Sequence, residues 1–146
     1  MTYALLKDIV TGLLTGDNKI PGDEAVLQGL VGYALTTTAT KADSLHLMTL
    51  DTTVDILRLG VGDYVVRRPV TPAQDSDILD IDEELSYGVA RLVCSMVSKE
   101  KGGIHVQAAD RMILDYNAKV YEVISQMREE AASEGIAATC DETFVL

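Results

Sequence analysis

Aromatic residues, prolines, cysteines and cations are all scarce in this chain of 146 residues. It has no tryptophan, one phenylalanine, three prolines and two cysteines, so aliphatic side chains must fill most of the core. Its 12 Lys and Arg residues are outnumbered by 23 Asp and Glu residues, which gives a formal net charge of −11. Because a protein that clamps DNA needs cations to displace counterions from the phosphates, this composition disfavours that class.

The two cysteines are too few for a disulfide framework, and Cys94 lies in an apolar helical pattern that indicates a buried, unreactive thiol. No apolar run approaches the roughly 18 residues that span a bilayer. The first 16 residues lack the basic start and the cleavage site of a signal peptide. We therefore expect a soluble protein that is made in the cytoplasm and has no membrane partner.

Hydrophobic periodicity predicts four helices. The first follows a possible N-cap at Thr2, and the second opens at Asp23. Within the second, the β-branched run 36–40 weakens the helical pattern. The third helix is predicted around 85–97. The fourth begins after the Gly102-Gly103 connection and runs to about residue 130, antiparallel to the third.

The middle of the chain has an extended pattern. Strands at about 53–59 and 63–70 flank the glycine turn 60–62, which predicts a β-hairpin within an excursion at about 51–71. Because an isolated hairpin is marginal in water, this one needs a helix face or a neighbouring chain to pack on. The predicted fold is therefore mainly α, a bundle of about four helices with this inserted excursion. It forms a single domain over 1–131, followed by an extended C-terminal arm over 132–146.

An acidic run, here called the acidic loop, covers residues 75–84. Asp80 and Glu83 have the spacing of a capping box, so the loop is predicted to cap the third helix. Carboxylates at this density also suit a hard cation such as Ca²⁺, but the glycine that an EF-hand loop requires at its sixth position is missing.

No pattern in the sequence is typical of a catalytic site. His46 and His105 lack partners at the spacing of a zinc site, and the turn at Gly60 lacks the Lys and Ser or Thr of a phosphate loop. We predict no catalytic residue, no cofactor and no metal. Function through surfaces and assembly is therefore favoured over catalysis.

Two segments carry a family resemblance. Residues 81–93 read IDEELSYGVARLV, and residues 115–121 read DYNAKVY. This helical pair resembles that of tailed-bacteriophage head–tail connector proteins, also called adaptor or head-completion proteins. The order of elements is similar too, and the likeness covers about two thirds of the chain.

The resemblance implies a structural virion protein at the neck, in a homo-oligomeric ring that is commonly of twelve copies. Such a ring joins the portal protein to the tail or neck proteins and lines a channel that DNA passes without specific binding. The arm would dock on the portal through Phe144, Val145 and Leu146. The excursion would contact a neighbour or the next tail component through Val61, Tyr64, Arg67 and Arg68.

Two other functions are compatible with the sequence. One is a different neck, tail-terminator or minor capsid protein without a portal contact. The other is a small cytoplasmic regulator that binds a metal or a ligand through the acidic loop.

Overall fold

Four α-helices and a small antiparallel sheet make up the described part of the chain. The computed structural model describes residues 1–42, 44–60 and 62–133. The elements, in order, are α1 (Tyr3–Leu13), α2 (Glu24–Lys41), β1 (Met48–Thr49), β2 (Ile56–Leu59), β3 (Val65–Arg67), α3 (Glu83–Lys101) and α4 (His105–Ser133). The predicted fold class, a mainly helical bundle with a β excursion, is confirmed.

Side-chain caps start the first two helices where the sequence indicates. The Thr2 hydroxyl accepts a hydrogen bond from the Leu5 N–H at 3.2 Å, and Asp23 Oδ1 accepts one from the Ala25 N–H at 3.0 Å. Each bond satisfies a backbone donor that the first turn of a helix leaves free.

The expected weakening of α2 at residues 36–40 is wrong, because the helix continues through this run to Lys41. The hydroxyls of Thr38 and Thr40 donate to the carbonyls four residues earlier, both at 2.8 Å. This satisfies the hydroxyls within the helix. Thr38 is fully buried, so tertiary packing outweighs the weak helical preference of threonine.

The helices α3 and α4 form an antiparallel hairpin, and two contacts define its register. The Ser95 hydroxyl donates to the Ala109 carbonyl at 3.0 Å, and Gly88 lies against Tyr116 and Val120. The connection turns at Gly102 and Gly103, which have φ angles of 73° and 57°. Glycine suits this left-handed conformation because it has no Cβ.

The sheet has the order β1-β3-β2, with β3 in the centre and antiparallel to both neighbours. The predicted hairpin is present as β2 and β3, although both strands are shorter than 53–59 and 63–70. Strand β1, which pairs Met48 with Val66, was not predicted from the sequence. The hairpin therefore gains its additional strand from its own chain, and the fully buried Val66 joins the core of the bundle.

The boundary of the C-terminal arm shifts. Helix α4 extends to Ser133, so residues 132 and 133 are helical and the predicted start of the arm at 132 is wrong. An amphipathic helix can extend past its last buried position, and among the residues of α4 with described burial that position is Ile124. Residues 134–146 lie outside the described residues.

Candidate interaction surfaces

Asp80 is the centre of a polar cluster that fastens the sheet to the bundle. Arg67 on β3 contacts both carboxylate oxygens, and its Nη2 lies 2.6 Å from Oδ1. His46 Nε2 lies 2.9 Å from the same oxygen, and the Val70 N–H donates to Oδ2 at 2.8 Å. Three groups therefore converge on this carboxylate, which precedes α3.

The environment of Asp80 favours its ionised form. Its side chain is only 16% exposed, and this burial by itself raises the pKa. Hydrogen bonds from Arg67, the Val70 N–H and His46 outweigh that effect and lower the pKa of Asp80 to about 2. Asp80 therefore carries a negative charge at neutral pH, and the guanidinium of Arg67 balances it.

The predicted capping box at Asp80 and Glu83 is wrong. The N-cap residue of α3 is Asp82, and it makes no side-chain cap hydrogen bond. Its carboxylate instead accepts hydrogen bonds from the Ser44 hydroxyl and, at 2.9 Å, from the His46 N–H. Both aspartates bind segments that lie distant in sequence, which a local capping pattern does not reveal.

Other carboxylates of the acidic loop are also used within the chain. Asp75 accepts a hydrogen bond from Lys7 Nζ at 2.5 Å, and the Met1 amino group pairs with Glu83. Asp77 accepts backbone N–H groups at 2.8 and 2.9 Å, which lowers its pKa. Across residues 1–42, 44–60 and 62–133, no group of three His, Cys, Asp or Glu side chains is placed to hold a metal ion.

The four hairpin residues predicted to contact a partner have different environments. Arg67 faces Asp80 and is largely covered, so its charge is used inside the chain. The Arg68 Nε lies 3.4 Å from the Asp55 carboxylate in an exposed pair. Tyr64 is 40% exposed and available to a partner. Val61 lies outside the described residues.

Large apolar side chains are exposed around the sheet, on a surface that we call the sheet patch. It comprises Leu50, Ile56, Leu59 and Tyr64, and Leu59 is the most exposed of them at 78%. The register brings Leu50, Leu59 and Tyr64 to the same end of the sheet. Exposed apolar residues that lie together are typical of interaction sites, whereas single ones are ordinary. Sequence reasoning identified only Tyr64, although the position of Leu59 just before the turn glycine is a signal for a strand end at the surface.

A second exposed apolar pair lies on α4. Leu114 and Tyr121 are 67% and 61% exposed, and seven residues separate them, so they share one face of the helix. Tyr116 lies on the opposite side and is fully buried, as predicted. Its hydroxyl lies 2.9 Å from the Thr38 hydroxyl and donates to it, because Thr38 already donates to the Ala34 carbonyl.

Cys94 on α3 is 1% exposed. Burial raises the pKa of its thiol, which is the opposite of the activation that a catalytic cysteine needs. This agrees with the prediction of a buried, unreactive cysteine. The arm residues predicted as a docking site, Phe144, Val145 and Leu146, lie outside the described residues.

Neither a membrane-spanning helix nor a similar protein indicates a function for the described part of the chain. Within the described residues, no helix is long and apolar enough to cross a membrane. Comparisons with protein-family models, with curated proteins and with solved structures found no match. The geometry of the surfaces described above is therefore the basis for a functional conclusion.

Proposed function

We propose that this protein is a head–tail adaptor of a tailed-phage virion, a structural subunit that forms a ring between the portal and the tail. The observation that carries the proposal is the sheet patch, with Leu59 at its most exposed point. Burial of such a patch against a neighbouring subunit stabilises an assembly by roughly 25 cal/mol per Å² of apolar surface. Symmetry repeats that contact around a ring.

Hydrogen bonds join the strands that carry the sheet patch to the bundle, and such prior ordering favours binding because less order has to be gained. Arg67 and Asp80 join β3 to the start of α3. Arg58 on β2 donates to the carbonyls of Ala39 and Ala42 at the end of α2, at 3.4 and 3.2 Å. The excursion is thus fastened to the bundle at two places.

The length of α4 supports a role for the arm that follows it. This helix has 29 residues against 19 in α3. Because Gly88 of α3 lies beside Val120, the antiparallel register aligns the first residue of α3 with roughly residue 125 of α4. The last two turns of α4 therefore extend past α3, toward the segment proposed to dock on the portal.

The net charge of −11 suits a channel for DNA. An acidic wall repels phosphates, so DNA passes it without binding. In this proposal the protein does no chemistry on DNA, and its activity consists of forming a ring and joining two neighbours.

Truncation after Ser133 tests the role of the arm. The truncated chain keeps every described element, so its circular dichroism spectrum and unfolding midpoint should match those of the full chain. Capsids that carry the portal should bind the full chain and fail to bind the truncated chain in co-sedimentation. Binding of the truncated chain at the full-length level would contradict the assignment of the arm.

A further inference from the structure

An open groove of about 320 Å³ lies between the segment that joins α1 to α2 and the last turn of α3. Three apolar side chains, Pro21, Val26 and Val97, form part of its lining. Val26 lies in the first turn of α2 and is 45% exposed. The groove therefore offers an apolar surface that suits an aliphatic side chain.

Asn18 lines the same groove and has an unsatisfied polar group. The residue is only 8% exposed, and its Nδ2 has no hydrogen-bond acceptor within the described residues. Buried donors without a partner are rare and costly, whereas buried carbonyl oxygens are tolerated more easily. Within the described residues, Oδ1 is not among the buried atoms without a partner, so a half-turn of the amide would bury the oxygen and give the donor the more accessible position. An oxygen of a bound ligand would satisfy it.

Three charged residues complete the lining of the groove: Lys19, Glu100 and Lys101. Lys19 makes no ion pair with any residue that the structure describes, whereas Lys101 lies 3.8 Å from Asp17. Lys19 and Asn18 both line the groove, so a cation and a neutral donor are available there to a carboxylate. Glu100 contributes an acceptor that can bind a backbone N–H.

We infer that this groove binds the carboxyl-terminal residue of a protein partner whose last side chain is aliphatic. The terminal carboxylate binds Lys19 and Asn18, the N–H of the last residue donates to Glu100, and the side chain packs on Val26 and Val97. The groove is open, which suits the end of an extended peptide better than an enclosed small molecule. The inference does not rest on the adaptor function.

Calorimetric titration of the full chain with the peptide acetyl-Gly-Ala-Val-Leu tests the inference. The peptide with a free carboxylate should bind in a saturable manner. The same peptide with an amidated end should bind at least about tenfold more weakly. Equal binding of the two peptides, or no saturable binding at millimolar concentration, would overturn the inference. Tighter binding of free leucine than of the peptide would also overturn it, because the site would then accept an amino acid.

Charge-removing variants locate the binding in this groove. Lys19→Ala should weaken binding of the free-carboxylate peptide about tenfold, since a charge-assisted hydrogen bond is lost. Lys99→Ala is the matched control, because Lys99 is an exposed lysine of α3 that does not line the groove. Both side chains are exposed, so both variants should fold. An equal effect of the two substitutions would contradict the site.

Discussion

The guanidinium of Arg67 binds the carboxylate of Asp80 through both of its terminal nitrogens. This pair joins the central strand of the sheet to the segment before α3, and both side chains are mostly covered. This pair therefore fixes the orientation of the small sheet relative to the helical bundle. The sheet patch is therefore presented as a fixed surface.

Substitution of Asp80 by asparagine should destabilise the fold. Asparagine has a similar shape, but it removes the charge that Arg67 faces, and it directs an N–H₂ group toward donors. We expect a loss of about 2 kcal/mol in the free energy of unfolding, measured by urea denaturation. The control Arg68→Ala removes an exposed pair with Asp55 and should change that free energy by about 0.5 kcal/mol or less. Equal effects of the two variants would contradict the role of the cluster.

The contribution of Asp80 to stability should disappear at low pH. Its pKa is about 2 in the folded chain, below the ordinary value of 3.8 that applies when the chain is unfolded. A carboxylate whose pKa is lower in the folded chain than in the unfolded chain stabilises the fold at pH values above the unfolded pKa. This stabilisation is lost as the pH falls toward the folded pKa. The difference in unfolding free energy between the wild type and Asp80→Asn should therefore shrink from pH 6 to about pH 2. A constant difference over this interval would show that the charge of Asp80 is not its cause.

Alanine at position 88 should destabilise the α3–α4 pair. A Cβ there would lie 3.2 Å from Val120 Cγ2 and 3.5 Å from the ring of Tyr116. Overpacking costs about 1 to 3 kcal/mol, and the helical preference of alanine offsets about 1 kcal/mol of this. Thermal unfolding should therefore show a net loss of about 1 kcal/mol.

Two further variants test this steric explanation. Gly29→Ala in α2 is the matched control, since nothing lies within 4 Å of its added Cβ, and it should stabilise the fold. Combining Gly88→Ala with Val120→Ala should cost less than the sum of the two single changes, because the truncated valine makes room. If Gly88→Ala stabilises the chain as Gly29→Ala does, the explanation that the added Cβ at position 88 has no room between α3 and α4 is contradicted.

An acidic residue on the sheet patch should block assembly without affecting the fold. Leu59→Asp changes a side chain that is 78% exposed, so the unfolding midpoint should stay within about 2 °C of the wild type. The amount of the protein in purified particles, measured by quantitative mass spectrometry, should fall at least tenfold. Ile104→Asp is the control, because Ile104 is 86% exposed in the connection between α3 and α4. Wild-type incorporation of Leu59→Asp, or equal loss with both variants, would contradict the role of the patch.

Features that local sequence determines were predictable. The caps at Thr2 and Asp23 act within one helical turn, and the Gly102-Gly103 connection places the last two helices antiparallel. Apolar periodicity also identified Tyr116 as a core residue. In each case the interacting groups are close in sequence or repeat with the helical period.

Features that depend on distant partners were not predictable. Asp80 has the spacing of a helix cap, but Arg67 and His46 bind it instead. The threonine run of α2 continues as a helix because Thr38 is buried against Tyr116, 78 residues away. Strict alternation would place Ile56 and Leu59 on opposite faces of β2, yet both are exposed, and the register of this strand is irregular between Ile56 and Arg58.

Immunogold electron microscopy tests the central claim most directly. An antibody raised against the purified chain would be applied to particles produced by the genome that encodes it. We predict label at the single vertex where head and tail meet. Label at the far end of the tail or over the whole capsid would contradict the adaptor function in favour of another virion component, and absence of label from particles would contradict a structural role altogether.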